Sequence, residues 1–229
     1  GAVYKNFSGI TEYLSLKEQN KKLAEENAKL HKQLKNRNNN FKTIPDSEIK
    51  SFQEQYVYHN AKVISNSANK QQNFMTINLG ENDGVKTEMA VISPEGVVGI
   101  IKETSANFAT VISIINKRLN ISAKIKNSDY YGTVSWDGKD YQFCQLNEIP
   151  RHAIINKGDT IVTSGYSAVF PENIPIGTVT EHYKDESSSF YEIELKLFCD
   201  LKKVRHIYVI ENKRKKEFDK LKNSLNTND

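Results

Sequence analysis

The chain has 229 residues, 38% of them hydrophobic, and a mean hydropathy of −0.61; that is low for a compact globule, so part of it lies outside any core. Net charge is +4, and the run Lys213-Arg214-Lys215-Lys216 accounts for all of it, so the rest of the chain lacks the basic excess a nucleic-acid binder needs and the run reads as a solvated tail. No stretch reaches the roughly 18 apolar residues of a membrane span, and no signal peptide opens the chain.

Residues 10–37 carry a heptad pattern. Leu16, Leu23 and Leu30 recur every seventh residue and occupy d positions. Tyr13, Asn20, Asn27 and Leu34 then fall at a. In a parallel homodimer each a-position asparagine meets its twin, which costs stability but penalises slipped, antiparallel and trimeric forms. Glu12 would face Lys17 and Glu26 would face His31, as g-to-e′ pairs do. The competing assignment is a single amphipathic helix lying on its own domain. Asn38-Asn39-Asn40 ends the pattern and Pro45 interrupts it. Residues 46–59 are predicted as a further helical segment, with Phe52, Tyr56 and His59 on one face.

From Ala61 to Ile210 the period becomes two, and β-branched and aromatic residues dominate. Strands are predicted at 61–65, 73–79, 96–103, 108–115, 120–125, 130–136, 140–146, 176–183, 190–198 and 204–210. Turn signals such as Glu81-Asn82-Asp83-Gly84, Trp136-Asp137-Gly138 and Asn156-Lys157-Gly158-Asp159 separate them. Many short strands at this spacing indicate a sandwich or closed barrels. The expected fold class is therefore mainly β with an N-terminal α-helix.

The β region repeats itself. Ile77-Asn78-Leu79-Gly80 aligns with Ile155-Asn156-Lys157-Gly158, and Val98-Gly99-Ile100-Ile101 with Ile176-Gly177-Thr178-Val179, each 78 residues apart. Val91-Ile92-Ser93 aligns with Val162-Thr163-Ser164, and Phe108–Val111 with Phe190–Ile193. Gly80, Gly84, Gly99, Gly158, Asp159, Gly165 and Gly177 are assigned as structural turn and repeat positions. Two small related β-domains in tandem follow: 1–58 helix and linker, 59–125 first domain, 126–210 second domain, 211–229 basic tail. The strand at 204–210 has two possible homes, the second domain or a return to the first.

Nothing in this region assembles catalytic chemistry. Ser164 precedes Gly165 at a strand end, a setting that also presents hydrolase nucleophiles. Yet His31, His59, His152, His182 and His206 carry no flanking motif, and Gly-Tyr-Ser lacks the G-x-S-x-G elbow. Ser93 also offers Ser164 a counterpart, so the serine reads as a turn residue. Cys144 and Cys199 form neither a disulfide framework nor a metal site; Cys199, on a face with Leu195 and Leu197, reads as a buried thiol. No catalytic, metal or cofactor residue is assigned.

With these features in place, "NLGENDGVKTEMAVISPEGVVGIIKET" followed by "INKGDTIVTSGYSAVFPENIPIGTV", behind a leucine-heptad helix, resembles the bacterial rod shape-determining MreC family from about Leu14 to Ile210. The resemblance implies two small six-stranded β-barrels, coiled-coil homodimers and filaments of dimers. It implies a non-enzymatic periplasmic scaffold anchored in the inner membrane by a helix upstream of residue 1. Its partners would be a class B penicillin-binding transpeptidase, the glycosyltransferase that works with it, MreD and the actin-like MreB. This chain departs from the family where Ser167 and Ala168 replace the usual glycines and Asn173 stands where Pro-x-Gly is common. The alternatives are a coiled-coil and barrel adaptor of another complex and a trypsin-like double-barrel hydrolase, though the Gly-Asp-Ser-Gly signature of the latter is missing.

Overall fold

The structure, a computed structural model, describes residues 55–126, 128–184 and 188–225. The heptad segment, with Tyr13, Leu16, Asn20, Leu23, Asn27, Leu30 and Leu34, lies outside the described residues, as does 46–54 of the second predicted helix. Twelve strands are found among the described residues: β1 (Tyr56–Asn66), β2 (Phe74–Ile77), β3 (Ala90–Ile92), β4 (Val97–Thr104), β5 (Ala109–Ser113), β6 (Ile121–Ile125), β7 (Tyr131–Ser135), β8 (Phe143–Asn147), β9 (Thr160–Thr163), β10 (Pro175–Lys184), β11 (Tyr191–Leu197) and β12 (His206–Asn212). One helix, α1 (Lys215–Leu225), follows.

The strands close into two six-stranded barrels, ordered β1-β12-β3-β4-β5-β2 and β10-β11-β8-β7-β6-β9. Closure satisfies every strand edge, and the period-two pattern fills each interior. Met75, Ile77, Val91, Val111, Ile207 and Val209 are buried in the first barrel; Ala123, Cys144, Leu146, Ile161, Ile193 and Leu195 are buried in the second.

Long-range pairing corrects two expectations and decides a third. Residues 56–59 are not helical but begin β1, because Tyr56 to His59 pair with Asn212 to Val209 of β12. The 120–125 strand belongs to the second barrel, since β6 pairs with β7 and β9. The 204–210 strand returns to the first barrel, and it runs on to Asn212. Within the basic tail, 215–225 is a helix. β3 and β9, three and four residues long, fall below the length at which alternation registers.

The two barrels follow one scheme. Gly99 and Gly177 occupy equivalent places on β4 and β10, and a Cβ there would lie 2.1 Å from Ile112 O and 2.5 Å from Lys196 O. Bulges also recur, between Ile101 and Glu103 on β4 and between Val179 and Glu181 on β10. The sequence alignment slips elsewhere, because a bulge or a loop of different length changes the offset. Val91 pairs with Gly99 as Ile161 pairs with Gly177, so Ser93 answers to Thr163 and not to Ser164. Gly158 N–H donates to Val179 O as Glu88 N–H donates to Ile101 O. Its counterpart is therefore Glu88, also left-handed at φ 64°, and not Gly80. Similarly, Ala109 answers to Ile193, so Phe108 does not match Phe190.

Stopping the chain after Arg205 removes β12 and should unfold the first barrel while the second still melts cooperatively. Stopping after Asn212 removes no strand and, from the first barrel, chiefly the Lys215 pair with exposed Glu88, and should shift the melting temperature by a few degrees at most. Calorimetry on both truncations checks the pair; an intact first barrel without β12 would refute the topology.

Candidate functional site

The segment from Ser164 to Ile174 connects β9 to β10. Ser164 is 4% exposed, and its Oγ lies 2.7 Å from Ser122 Oγ and accepts the Tyr166 N–H at 3.3 Å. Its hydrogen-bond partners are thus a hydroxyl and a backbone amide, the bonding of a serine turn. Thr163 Oγ1 donates to Pro171 O at 2.6 Å and accepts from Ile174 N–H at 2.9 Å, closing the loop onto its own strand. Gly165, Ala168 and Asn173 are all left-handed, at φ 80°, 53° and 67°. The turn thus forms with alanine and asparagine at two of its three left-handed positions. At Ala168 the conformation costs roughly 1 kcal/mol.

The contact that holds Ala168 comes from the other barrel. Asn212, at the end of β12, donates from Nδ2 to Ala168 O at 2.8 Å, while its Oδ1 accepts from Arg214 N–H at 3.0 Å and Gln55 Nε2 at 3.4 Å. Further amides repeat the arrangement. Asn66 Nδ2 donates to Leu201 O at 2.6 Å, in the connection leaving the second barrel, and Gln71 Nε2 donates to Gly138 O at 3.3 Å. Gly96 brings the β3–β4 turn against the start of β10; a Cβ there would sit 2.3 Å from Pro175 O. The barrels are joined by amide side chains of the first bonded to backbone carbonyls of the second or of the connection leaving it.

Beside this joint lies an apolar groove of roughly 350 Å³ lined by Tyr58, Ile92, Pro94, Ile174, Pro175 and Tyr208. Tyr58 is 45% exposed and Tyr208 37%. A second groove, of roughly 730 Å³, runs between the 81–89 loop, the end of β12 and α1, with Val85, Met89, Val169 and Ile210 among its apolar lining. Tyr166 projects from the 164–174 loop and stacks on Tyr131 with centroids 4.4 Å apart. These surfaces offer apolar binding area. Burial pushes the Cys199 thiol up to about 11 despite its bond from Ser93, and raises Cys144 further. Both thiols are buried and free.

The remaining assigned positions serve turns. Gly80 N–H donates to Asp83 Oδ2 at 2.9 Å, Gly84 ends the 3-10 turn Glu81–Asp83 at φ 83°, and the Asp159 carboxylate accepts from Asn156 N–H at 2.8 Å. Asn66, Gln71 and Asn212 escaped the sequence reading, because an Asn or Gln in a turn or at a strand end looks the same whether it caps its own loop or bridges to a neighbour.

The family model described as "Rod shape-determining protein MreC, barrel core" matches residues 63–211. The chain belongs to the MreC family. Its members are cell shape-determining proteins, structural rather than enzymatic. The MreC of Listeria monocytogenes serovar 1/2a is 30% identical over 155 residues, covering 66% of this chain and 52% of that relative; the chain spans about half the length of the curated MreC proteins it matches first. A solved MreC structure from Listeria monocytogenes superposes with a TM-score of 0.67 at 26% identity, covering 86% of this chain and 94% of the other. An MreC from Helicobacter pylori, solved in complex with the penicillin-binding protein PBP2, has the same fold at 20% identity, with a TM-score of 0.57 over 69% of this chain and 99% of that one.

Replacing Ala168 with Gly should relieve the left-handed strain and raise stability by about 1 kcal/mol. Asn212→Ala should lower it by about 1–3 kcal/mol, since it strips a buried bridge between barrels. Urea titration reads both. Ser164→Ala should leave cell shape unchanged in cells that make normal amounts of the protein, and rounded cells would return a functional role to that hydroxyl.

Proposed function

We propose that this chain is the extracytoplasmic scaffold of a cell-elongation complex, anchored in the inner membrane by a segment preceding residue 1. The observation that carries this reading is the barrel-core match over 63–211, laid on two closed barrels that offer apolar docking surfaces. A scaffold needs binding faces held at a fixed separation, and the amide bridges between the barrels serve that need. The class B penicillin-binding transpeptidase is the proposed direct partner, in line with the PBP2 bound to the Helicobacter pylori relative. The glycosyltransferase, MreD and MreB would be reached through the same complex, and filaments of dimers would extend it.

The heptad segment supplies the dimer in this proposal. Leu16, Leu23 and Leu30 would carry most of its energy, since burying a leucine contributes roughly 1.5–3 kcal/mol. Asn20 and Asn27 would set register and stoichiometry.

Two experiments test this reading. The transpeptidase of the same cell should co-purify with the chain; failure to do so at micromolar concentrations of both would remove the partner. Leu23→Asp should give monomers with both barrels folded by sedimentation equilibrium, whereas Asn20→Ile with Asn27→Ile should tighten association and relax the preference for parallel dimers. A dimer that survives Leu23→Asp would place the contact in the barrels.

A further inference from the structure

The helix α1 is attached to the first barrel by its polar side. Lys215 Nζ bonds Glu88 Oε2 at 2.7 Å and Asp219 Oδ2 at 2.6 Å, and the Lys215 side chain is only 18% exposed. Three and six residues after Lys215, on the neighbouring sector, Phe218 is 41% exposed and Leu221 63%. A helix that served only to cover the barrel would show the opposite polarity, apolar side in and charges out. Arg214, at the helix entry, and Lys222 are exposed on the side of that apolar sector, and Lys213, Lys216 and Lys220 are exposed elsewhere on the helix and its entry, against exposed Glu217 and the part-exposed Asp219 that Lys215 holds. Because the chain's net charge is +4, and the 213–222 stretch alone carries that excess, the rest of the chain is balanced. The basic charge and the outward apolar face coincide on one helix.

We propose that α1 is a membrane-surface helix, docking Phe218 and Leu221 into an anionic phospholipid bilayer while its lysines meet the headgroups. Charge complementarity selects this occupant. Anionic headgroups reward each Lys or Arg held near them, whatever its direction, and apolar side chains at headgroup depth supply the second attraction. A protein partner fits less well, because lysine is the residue that protein interfaces tend to exclude, and its cost rises with every flexible side chain ordered. Basic flanks spread on several sides of a short helix suit a fluid anionic plane better than a shaped acidic groove. The inference rests on α1 alone and goes beyond the scaffold reading, so either can fail without the other.

The test is sedimentation of the whole chain with vesicles of neutral phosphatidylcholine, alone or with about 30 mol% phosphatidylglycerol. The chain should pellet with the anionic vesicles and stay in solution with the neutral ones. Arg214→Glu with Lys222→Glu should weaken partitioning by about tenfold or more. Phe218→Ser with Leu221→Ser should weaken it similarly at unchanged charge. All four positions are exposed, and unchanged thermal melting confirms that the barrels stay folded. Absence of binding to anionic vesicles overturns the proposal. So does binding that ignores the Phe218 and Leu221 changes, which would mark adsorption of a polycation to any anion. If vesicles are not bound but those two changes lower the sedimentation mass of the free chain, the face is a contact between copies and the bilayer assignment falls.

Discussion

A strand edge exposes a row of unpaired amides and carbonyls, and a barrel avoids that cost only when its last stave is in place. In the first barrel that stave is β12, which arrives after the whole second barrel and pairs with β1 from Tyr56–Asn212 to Lys62–His206. The middle of the chain is thus an insertion anchored at both ends. On one side the link after β5 is pinned by buried Asn73 and Asn116, whose Nδ2 groups donate to Ile115 O at 2.7 Å and Asn73 O at 3.1 Å. On the other side the connection into β12 is held by Asn66. Two tethers restrict the barrels far more than a single linker would, and the remaining amide bridges act on an already limited set of orientations.

The second barrel explains why the first can be built this way. In it the stave equivalent to β12 is β6, which begins the barrel and turns directly into β7, the equivalent of β1. The first barrel is the same ring with that hairpin cut and the preceding stave moved to the far end of the chain. The bulges and the Gly99 and Gly177 positions are unaffected because they belong to the β4–β5 and β10–β11 pairs, away from the cut. Those pairs keep the same barrel geometry in both halves, as bulges turn strands and the glycines admit the neighbouring carbonyl.

Most of the strand content was legible because burial on one face writes alternation directly into the sequence. The spacing of Val98-Gly99 and Ile176-Gly177 exposed the repeat for the same reason. Connectivity was not legible. Nothing local distinguishes a strand that pairs with its neighbour from one that crosses to β1, and 204–210 carries the same alternation in either home. Tyr56–His59 fits a helical face as well as a strand face when only four residues are weighed. The register of Ser164 failed because the offset between repeats is 78 at Gly99 but 70 at Val91, a change caused by the loops between strands. The inter-barrel amides were invisible for a further reason: a hydrogen bond to a backbone carbonyl leaves no mark in the identity of the residue that accepts it.

The cut hairpin also determines where everything outside the barrels is attached. Gln55 precedes β1 and Lys213 follows β12, and the Lys213 N–H donates to Gln55 O at 2.9 Å. Both chain extensions therefore leave the first barrel at one point, the place where the second barrel has only a tight turn. Neither extension is needed to complete a ring, since the second barrel closes without a counterpart of either. Their composition is free of the demands of barrel packing, which is why α1 can turn Phe218 and Leu221 outward while Lys215 is bound to Glu88. A segment under packing constraint would turn those side chains inward, toward the groove that Val85, Met89 and Ile210 line. That it does not do so places the origin of its pattern outside the fold, in what the helix meets.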